Sequence, residues 1–239
     1  MSDTATASKH QTALVLLSGG QDSSLCLAYA LTRYQRVETV SFDYGQTHKV
    51  ELECRHEIRD AFQAFSAEWG RRLGDDHLLS LPAIPEIGGT ALTDGSEITM
   101  MENGLPTTFV PGRNLLFLTY AGALAYRRNL DVLVAGMCET DYSGYPDCRR
   151  DTLDKLETAI NLGMESRLSI ETPLMYLDKA QSWSMTHEIG GDALVDIICE
   201  HTHSCYRGDR SHRYDWGYGC NNCPACDLRA RGYDLWKQS

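Results

Sequence analysis

Residues 12–31 read TALVLLSGGQDSSLCLAYAL. The first part, residues 13–17, is a continuous apolar run without alternation, which is typical of a strand buried on both faces of a parallel sheet. Small residues interrupt the run at Ser18, and apolar residues recur at helical spacing after Ser23. Asp22 or Ser23 is the expected N-cap of that helix. The stretch therefore predicts a strand, a glycine loop and a helix in succession.

This loop is predicted to bind an anion. The first backbone N–H groups of a helix lack partners within the helix and lie at the positive end of its dipole, and glycine lets a phosphate approach the backbone. Ser18, Ser23 and Ser24 add hydroxyl donors. The string SGGQDSS lacks the Lys-Ser/Thr pair of the Walker loop and the spacing of GxGxxG. An ordinary strand-to-helix turn is the alternative, because Gly and Ser also favour turns.

The composition limits the classes of function. The chain of 239 residues fits one domain with a small appendage, and its first ten residues, MSDTATASKH, predict a disordered tail. A net charge of −11 disfavours a broad surface for tRNA or DNA, so we expect a small-molecule substrate and no nucleic-acid partner. No apolar run reaches transmembrane length, so no membrane partner is expected. Nine cysteines without a secretion signal indicate a reducing cytoplasm.

Strand and helix patterns alternate along the rest of the chain. Further strands are predicted at residues 37–42, 77–81, 131–136 and 169–171, and helices at residues 47–70, 115–126, 149–164 and from 178 onward. The alternation predicts an α/β fold in residues 11–200, a Rossmann-like parallel sheet with helices on both faces. A segment of about 25 residues after the third strand is rich in Gly, Pro and Thr and is expected to be an active-site flap or a mobile loop.

The C-terminal segment, residues 201–239, predicts a small zinc-binding subdomain. Four thiolates satisfy tetrahedral Zn²⁺, and short CxxC turns can direct their sulfurs at one ion, so a closed structural site is expected. An iron–sulfur cluster or a redox pair made by two of the thiols is the alternative. The expected ligands are spaced C-x14-C-x2-C-x2-C and are Cys205, Cys220, Cys223 and Cys226.

Two basic residues stand at the expected starts of helices. Arg113 precedes an apolar run of helix length, so its guanidinium could pair with phosphate oxygens through two hydrogen bonds; a surface salt bridge is the alternative. Lys179 follows the fifth predicted strand and could reach a phosphate, or could be an ordinary exposed lysine of a first helical turn.

The loop after the fourth predicted strand, residues 139–149, reads ETDYSGYPDCR. It carries three carboxylates, two phenols and an arginine at the edge where open α/β sheets bind ligands. A surface turn rarely has that mixture, so this loop is predicted to bind the substrate.

The motifs carry a family resemblance. SGGxDS resembles the pyrophosphate loop (PP-loop) of the N-type ATP pyrophosphatases, which activate a substrate oxygen by adenylation. Together with VPGRN, GxxxxDYSGYPDCR and a terminal CxxCxxC, it resembles the 7-cyano-7-deazaguanine synthases of queuosine biosynthesis. The resemblance implies an ATP-dependent carbon–nitrogen ligase that converts 7-carboxy-7-deazaguanine and ammonia to 7-cyano-7-deazaguanine through an adenylated acid and an amide. It also implies ATP with Mg²⁺, structural Zn²⁺ and a homodimer.

The resemblance implies roles for residues of the loop and of the two helix starts. Asp22 is expected to bind magnesium or to cap its helix, roles that are compatible. Catalysis is expected to involve Ser18, Asp22, Ser23, Arg113 and Lys179. ATP is expected to contact Leu17, Ser18, Gly19, Gly20, Gln21, Asp22, Ser23, Ser24 and Leu25.

The resemblance also implies roles for residues of the loop at 139–149, called the substrate loop below. Asp141 and Asp147 are expected to accept hydrogen bonds from the donor face of the guanine-like ring, and Tyr142 or Tyr145 is expected to stack on it. Arg149 belongs to the same expected site. Alternatively, the loop is only shaped by its Tyr-Pro pair, and Asp147 caps the helix that follows.

Two other classes of function remain open on the sequence. One is a tRNA-modifying PP-loop enzyme of the thiolation type, which the acidic net charge disfavours. The other is a non-enzymatic nucleotide sensor, or a defence-system relative, that has kept the loop but conjugates or binds something else. Salt-sensitive tRNA binding with a persulfidated cysteine would identify the first, and inertness toward the carboxylated deazaguanine would identify the second.

Overall fold

A five-stranded parallel sheet forms the centre of the protein, in a computed structural model that describes residues 11–47, 49–87, 90, 99, 101–102, 104–139 and 144–239. The strand order is β3-β2-β1-β4-β5. The strands of this sheet are β1 (Thr12–Leu16), β2 (Arg36–Asp43), β3 (Leu73–Ser80), β4 (Val132–Val134) and β5 (Ser169–Glu171). The helices are α1 (Gln21–Arg33), α2 (Val50–Phe65), α3 (Ala67–Arg72), α4 (Ile84–Ile87), α5 (Arg113–Arg128), α6 (Arg150–Met164), α7 (Lys179–His201) and α8 (Pro224–Lys237), with a 3-10 turn at Pro146–Cys148.

Strand β1 lies in the middle of the sheet and is covered on both faces. Val15 packs into a core with α1, α2, α3 and α7, while Leu14 packs into a second core with α5 and α6. Both side chains have 0% exposure. This arrangement confirms the Rossmann-like parallel sheet with helices on both faces that the uninterrupted apolar run predicts.

The strand order places a ligand-binding crevice beside β1. The chain continues from β1 to β2 on one side, and β4 pairs with β1 on the other, so the crevice opens at the carboxyl ends of β1 and β4. At that point Gly136, just after β4, packs against the start of α1: a Cβ atom there would lie 3.3 Å from the backbone carbonyl carbon of Asp22.

Several element boundaries differ from the sequence-based predictions. The predicted helix at residues 47–70 is two helices, because Ser66 takes an extended conformation and its Oγ accepts a hydrogen bond from the Trp69 N–H at 3.4 Å, which starts α3. Strand β3 begins at Leu73, before the predicted start at residue 77. The predicted N-caps of α1 are wrong, since Gly20 occupies that position without a side-chain cap.

The C-terminal segment adds a two-stranded hairpin, β6 (Arg213–Tyr214) and β7 (Gly217–Tyr218), followed by α8. The hairpin belongs to the long interval between the first two cysteines, and Arg210 joins this interval to α2 through Cys54 Sγ at 2.6 Å and the Glu57 carboxylate at 2.7 Å. Within the described residues no helix is long and apolar enough to cross a membrane. The predicted disordered tail, residues 1–10, lies outside the described residues.

Candidate active site

A cavity of about 390 Å³ opens at the carboxyl edge of the sheet, a size in the range of small-molecule sites. Its walls come from the ends of β1, β2 and β4, the first turns of α1, α2, α5 and α7, and the segment before α8. The predicted ATP-binding residues that line it are Leu17, Ser18, Gly20, Gln21, Asp22 and Ser23. Gly19, Ser24 and Leu25 do not line it, and Leu25 lies in the hydrophobic core.

Hydrogen bonds within the PP-loop, residues 18–23, hold its shape. The Ser23 hydroxyl donates to the Gly20 carbonyl at 3.1 Å and accepts from the Ser18 N–H at 3.2 Å. The Ser18 Oγ lies 3.0 Å from Ser23 Oγ and accepts from the Gly20 N–H at 3.2 Å. Ser18 is exposed toward the cavity and Ser23 is buried. Ser23 therefore shapes the loop, and Ser18 lies at the surface of the cavity.

Backbone segments from distant parts of the chain enclose the glycine pair. A Cβ atom on Gly19, whose φ is +95°, would lie 2.0 Å from the Glu51 carbonyl oxygen, so only glycine fits there. The His203 N–H donates to the Gly19 carbonyl at 3.1 Å. The Gln21 N–H donates to Ser204 Oγ at 3.3 Å. The loop is therefore held between α2 and the segment that leads into the cysteine cluster.

Asp22 and Lys179 face each other across the start of the cavity. Lys179 Nζ donates to Asp22 Oδ2 at 2.6 Å, and Asp22 Oδ1 is buried without a hydrogen-bond partner among the described residues. Lys179 is the first residue of α7, whose N-cap Asp178 makes a capping box with Gln181. The structure thus brings the two predicted residues together and leaves one carboxylate oxygen of Asp22 available to a cation.

Arg113 reaches the cavity from the first turn of α5. Its guanidinium carbon lies 5.8 Å from the centre of the Tyr44 ring and 6.0 Å from that of Phe117, which is cation–π distance. Its Nε is buried without a hydrogen-bond partner in the described structure. Burial disfavours the charge, but Tyr44, Tyr145 and other acidic neighbours raise the pKa of Arg113, so it stays cationic. A surface salt bridge, the alternative for this residue, is not what the structure has.

Residues 140–143 of the substrate loop lie outside the described residues, and with them the predicted contacts of Asp141 and Tyr142. Tyr145 lines the cavity, and its hydroxyl lies 2.6 Å from Thr108 Oγ1 in the end of the predicted flap. Asp147 is buried, and its Oδ2 accepts a hydrogen bond from the Asn114 N–H at 3.1 Å. Arg149 is exposed at the N-cap of α6 and does not line the cavity.

The hydrogen bond of Asp147 is not the one expected if this residue capped the helix that follows it. Asp147 does not cap α6, whose N-cap is Arg149 without a side-chain cap bond. It binds the first turn of α5 instead, at a helix N-terminus where a carboxylate is favourable. The substrate loop and the helix that carries Arg113 are therefore joined through this carboxylate.

Two residues that line the cavity have no counterpart in the predicted site. Glu51 stands in the first turn of α2, and His203 lies two residues before the first cysteine of the cluster. His203 is 1% exposed. Neither residue belongs to a motif with a chemical meaning of its own, so only the fold brings them to the PP-loop.

The four predicted metal ligands meet in one cluster. The sulfur atoms of Cys205, Cys220, Cys223 and Cys226 all lie within 4.8 Å of one another, and those of Cys220 and Cys226 are 4.0 Å apart. Tetrahedral zinc with Zn–S bonds of about 2.3 Å requires sulfurs about 3.8 Å apart. The donor set and its spacing therefore fit zinc. No disulfide competes for these thiols, because all nine cysteines are free.

Residues 12–237 match the model of the family described as "Queuosine biosynthesis protein QueC". The chain belongs to the QueC family. This membership confirms the predicted family and the predicted class of enzyme, a ligase-type synthase of queuosine biosynthesis.

Curated relatives match the sequence of this QueC chain over nearly its whole length. It is 66% identical over 224 residues to a protein of Parvibaculum lavamentivorans named 7-cyano-7-deazaguanine synthase, covering 94% of each chain. It is 61% identical over 221 residues to a Janthinobacterium protein of the same name, covering 92% of this chain and 94% of the relative.

A solved structure supports the fold assignment. The chain is similar, with a TM-score of 0.52, to a 4-thiouridine synthetase whose structure is described as an RNA complex with bound ATP. The match covers 94% of this QueC chain and 53% of the other at 18% identity. At that identity the likeness shows the fold alone, which agrees with the predicted Rossmann-like α/β fold.

Replacing Gly19 with alanine should destabilise the protein more than the same change at Gly104. Both glycines have positive φ, so each alanine costs about 1–2 kcal/mol for the backbone. No atom of the described residues lies within 4 Å of a Cβ on Gly104, whereas Gly19→Ala also meets the Glu51 carbonyl and adds an overpacking cost of about 1–3 kcal/mol. Denaturant unfolding of both variants measures the difference. Equal losses of unfolding free energy would show that the loop does not depend on this close approach.

Removing the metal should lower the melting temperature strongly, because the binding energy of a structural zinc site is largely folding energy. Calorimetry before and after chelation, with metal analysis, tests this in the wild type. The melting temperature should return on addition of zinc to the chelated wild type but not to Cys223→Ser. A chelated protein that melts as the untreated one does, or a cluster that contains iron, would contradict the prediction.

Proposed function

We propose that this QueC chain converts 7-carboxy-7-deazaguanine, ammonia and ATP to 7-cyano-7-deazaguanine, the activity for which its relatives are named. The observation that carries the proposal is the PP-loop at the carboxyl edge of the sheet, with Arg113, Lys179 and Tyr145 around the same cavity. A carboxylate is a poor electrophile, so the acid must first be activated. The acyl adenylate then gives the amide with ammonia, and a second activation of the amide oxygen allows dehydration to the nitrile.

The loop residues have the chemistry for the activation steps. The first N–H groups of α1 and the Ser18 hydroxyl would hold the departing pyrophosphate, and the guanidinium of Arg113 would stabilise its charge. The free Oδ1 of Asp22 would bind the Mg²⁺ that accompanies ATP, while Lys179 fixes the other oxygen. These residues mainly position the phosphates and stabilise charge in the transition state.

The deazaguanine is proposed to bind at the side of the cavity formed by the loop that contains Tyr145. Its ring lies in the wall, where it could stack on the deazaguanine, with Asp141, Tyr142, Asp147 and Arg149 as further proposed contacts. Support for Asp147 is its burial beside Arg113, although its Oδ2 already accepts the Asn114 N–H. Of these contacts, Arg149 has the least support because its side chain is exposed.

The zinc site, the division into two domains, the cellular compartment and the homodimer are also proposals. Zinc bound by the four clustered cysteines would stabilise residues 201–239 as a subdomain that follows an ATP-binding domain at residues 11–200. Free cysteines throughout the chain support a reducing cytoplasm. The homodimer is proposed from the family resemblance. A thiolation-type tRNA enzyme is not favoured, because the likeness to the 4-thiouridine synthetase concerns the fold alone.

The leaving group tests the adenylation mechanism. The loop lacks the Walker lysine, so γ-phosphoryl transfer is not expected, and the products should be AMP and pyrophosphate. Phosphorus NMR should show about two AMP per nitrile from the acid and about one from the amide, because each activation uses one ATP. Appearance of ADP and inorganic phosphate in step with the nitrile, in preparations free of kinase and pyrophosphatase, would refute adenylation.

Loss of the loop's polar groups should stop both halves of the reaction. Asp22→Ala and Ser23→Ala are expected to abolish amide and nitrile formation while the circular dichroism spectrum is retained, since both activations would use one pyrophosphate site. Asp151→Ala, which removes an exposed carboxylate from α6, is the matched control and should retain both activities. Accumulation of the amide by either loop variant would contradict a shared site.

A further inference from the structure

Ser204 brings a hydroxyl from the C-terminal segment to the PP-loop. Its Oγ would lie 3.7 Å from a Cβ atom on Gly20, and it accepts the Gln21 N–H at 3.3 Å. The side chain is partly exposed and lines the same cavity as the loop. The hydroxyl therefore stands at the first turn of α1, which is where the pyrophosphate of the proposed reaction would bind.

The hydrogen bonds around Ser204 leave its hydroxyl hydrogen free. The oxygen accepts a second hydrogen bond from Arg229 Nη1 at 3.3 Å, in addition to the one from the Gln21 N–H. A hydroxyl has one hydrogen and two lone pairs, and here both lone pairs are used. Among the described residues no group accepts the Ser204 O–H. A donor without an acceptor in the wall of a cavity indicates a ligand that accepts hydrogen bonds.

The hydroxyls of the PP-loop itself are arranged differently. Ser23 donates its hydrogen to the Gly20 carbonyl at 3.1 Å, so the hydrogen between Ser18 Oγ and Ser23 Oγ, which are 3.0 Å apart, comes from Ser18. Ser24 is fully buried and does not line the cavity. Ser18 would have to give up its bond to Ser23 in order to donate to a phosphate. Ser204 can donate to a phosphate without losing any bond.

Arg229 favours an anion as the acceptor. This residue is 1% exposed, and its guanidinium donates to Ser204 Oγ and to the uncharged carbonyls of Trp216 and Ile198. A hydroxyl that accepts from a cation is polarised and becomes a stronger donor. A negative charge close by also stabilises a buried cation. Both effects are larger for a phosphate oxygen than for a neutral acceptor.

We propose that Ser204 donates a hydrogen bond to the pyrophosphate group of ATP at the PP-loop. The C-terminal segment then supplies a nucleotide-binding residue in addition to its cysteine cluster. This inference rests on the proposed function, which places the pyrophosphate at this loop.

Binding of pyrophosphate with Mg²⁺ to the whole protein tests the contact, measured by isothermal titration calorimetry. In Ser204→Ala the Kd for pyrophosphate should rise at least about tenfold (about 1.4 kcal/mol), because a hydrogen bond to a charged acceptor is lost. Ser204→Thr keeps the hydroxyl and Ser204→Val has the same shape without it, so the Thr variant should bind at least about tenfold more tightly than the Val variant. Ser211→Ala removes an exposed hydroxyl from the same segment and should leave the Kd unchanged.

Circular dichroism and melting identify the variants that fold, and the pair Ser204→Thr and Ser204→Val decides if Ser204→Ala does not. A folded Ser204→Ala with the wild-type Kd would overturn the contact. Equal affinities of the Thr and Val variants would overturn it too, because they would show that only the shape of the segment matters. A wild type that binds pyrophosphate but makes neither amide nor nitrile would overturn the proposed function, while the variants would still decide the contact.

Discussion

The active-site region depends on one close approach of backbone to backbone. Gly19 takes a left-handed conformation and lies against the Glu51 carbonyl, where no side chain fits. This contact fixes the PP-loop on the first turn of α2 and leaves the start of α1 open to the cavity. An anion site of this type is built from backbone N–H groups, so the positions of these donors depend on how firmly the loop is held. The side chains around the cavity are arranged on this fixed loop.

The C-terminal segment belongs to the same arrangement. Ser204 accepts the Gln21 N–H and also a hydrogen bond from the buried Arg229 at 3.3 Å. Arg229 in turn donates to the carbonyls of Trp216 at 2.9 Å and Ile198 at 3.1 Å, which offsets the cost of burying its charge. One chain of hydrogen bonds therefore connects the loop, the hairpin, α7 and α8. The cysteine cluster lies in a segment that is itself part of the wall of the cavity.

Features encoded in short stretches could be predicted from the sequence. The buried strand β1, the glycine loop and the four cysteines each follow from a local pattern, and the structure places them as expected. Contacts between distant segments could not be predicted in this way. Glu51 and His203 have no pattern that marks them, and Asp147 binds the start of a helix 33 residues earlier in the chain instead of the helix that follows it. The helix break at Ser66 was missed because its hydroxyl cap is a single residue within a long amphipathic pattern.

The contact between Gly19 and His203 has a consequence for how the protein is made. The backbone that closes the PP-loop is translated about 180 residues after the loop itself, and the last cysteine of the cluster later still. At roughly 5–20 residues per second, the loop waits on the order of ten seconds or more for this partner. During that interval the sheet can form from its own strands, whereas the closed loop exists only after His203 has been synthesised. A nascent or truncated chain that ends before His203 therefore lacks the backbone that closes this loop.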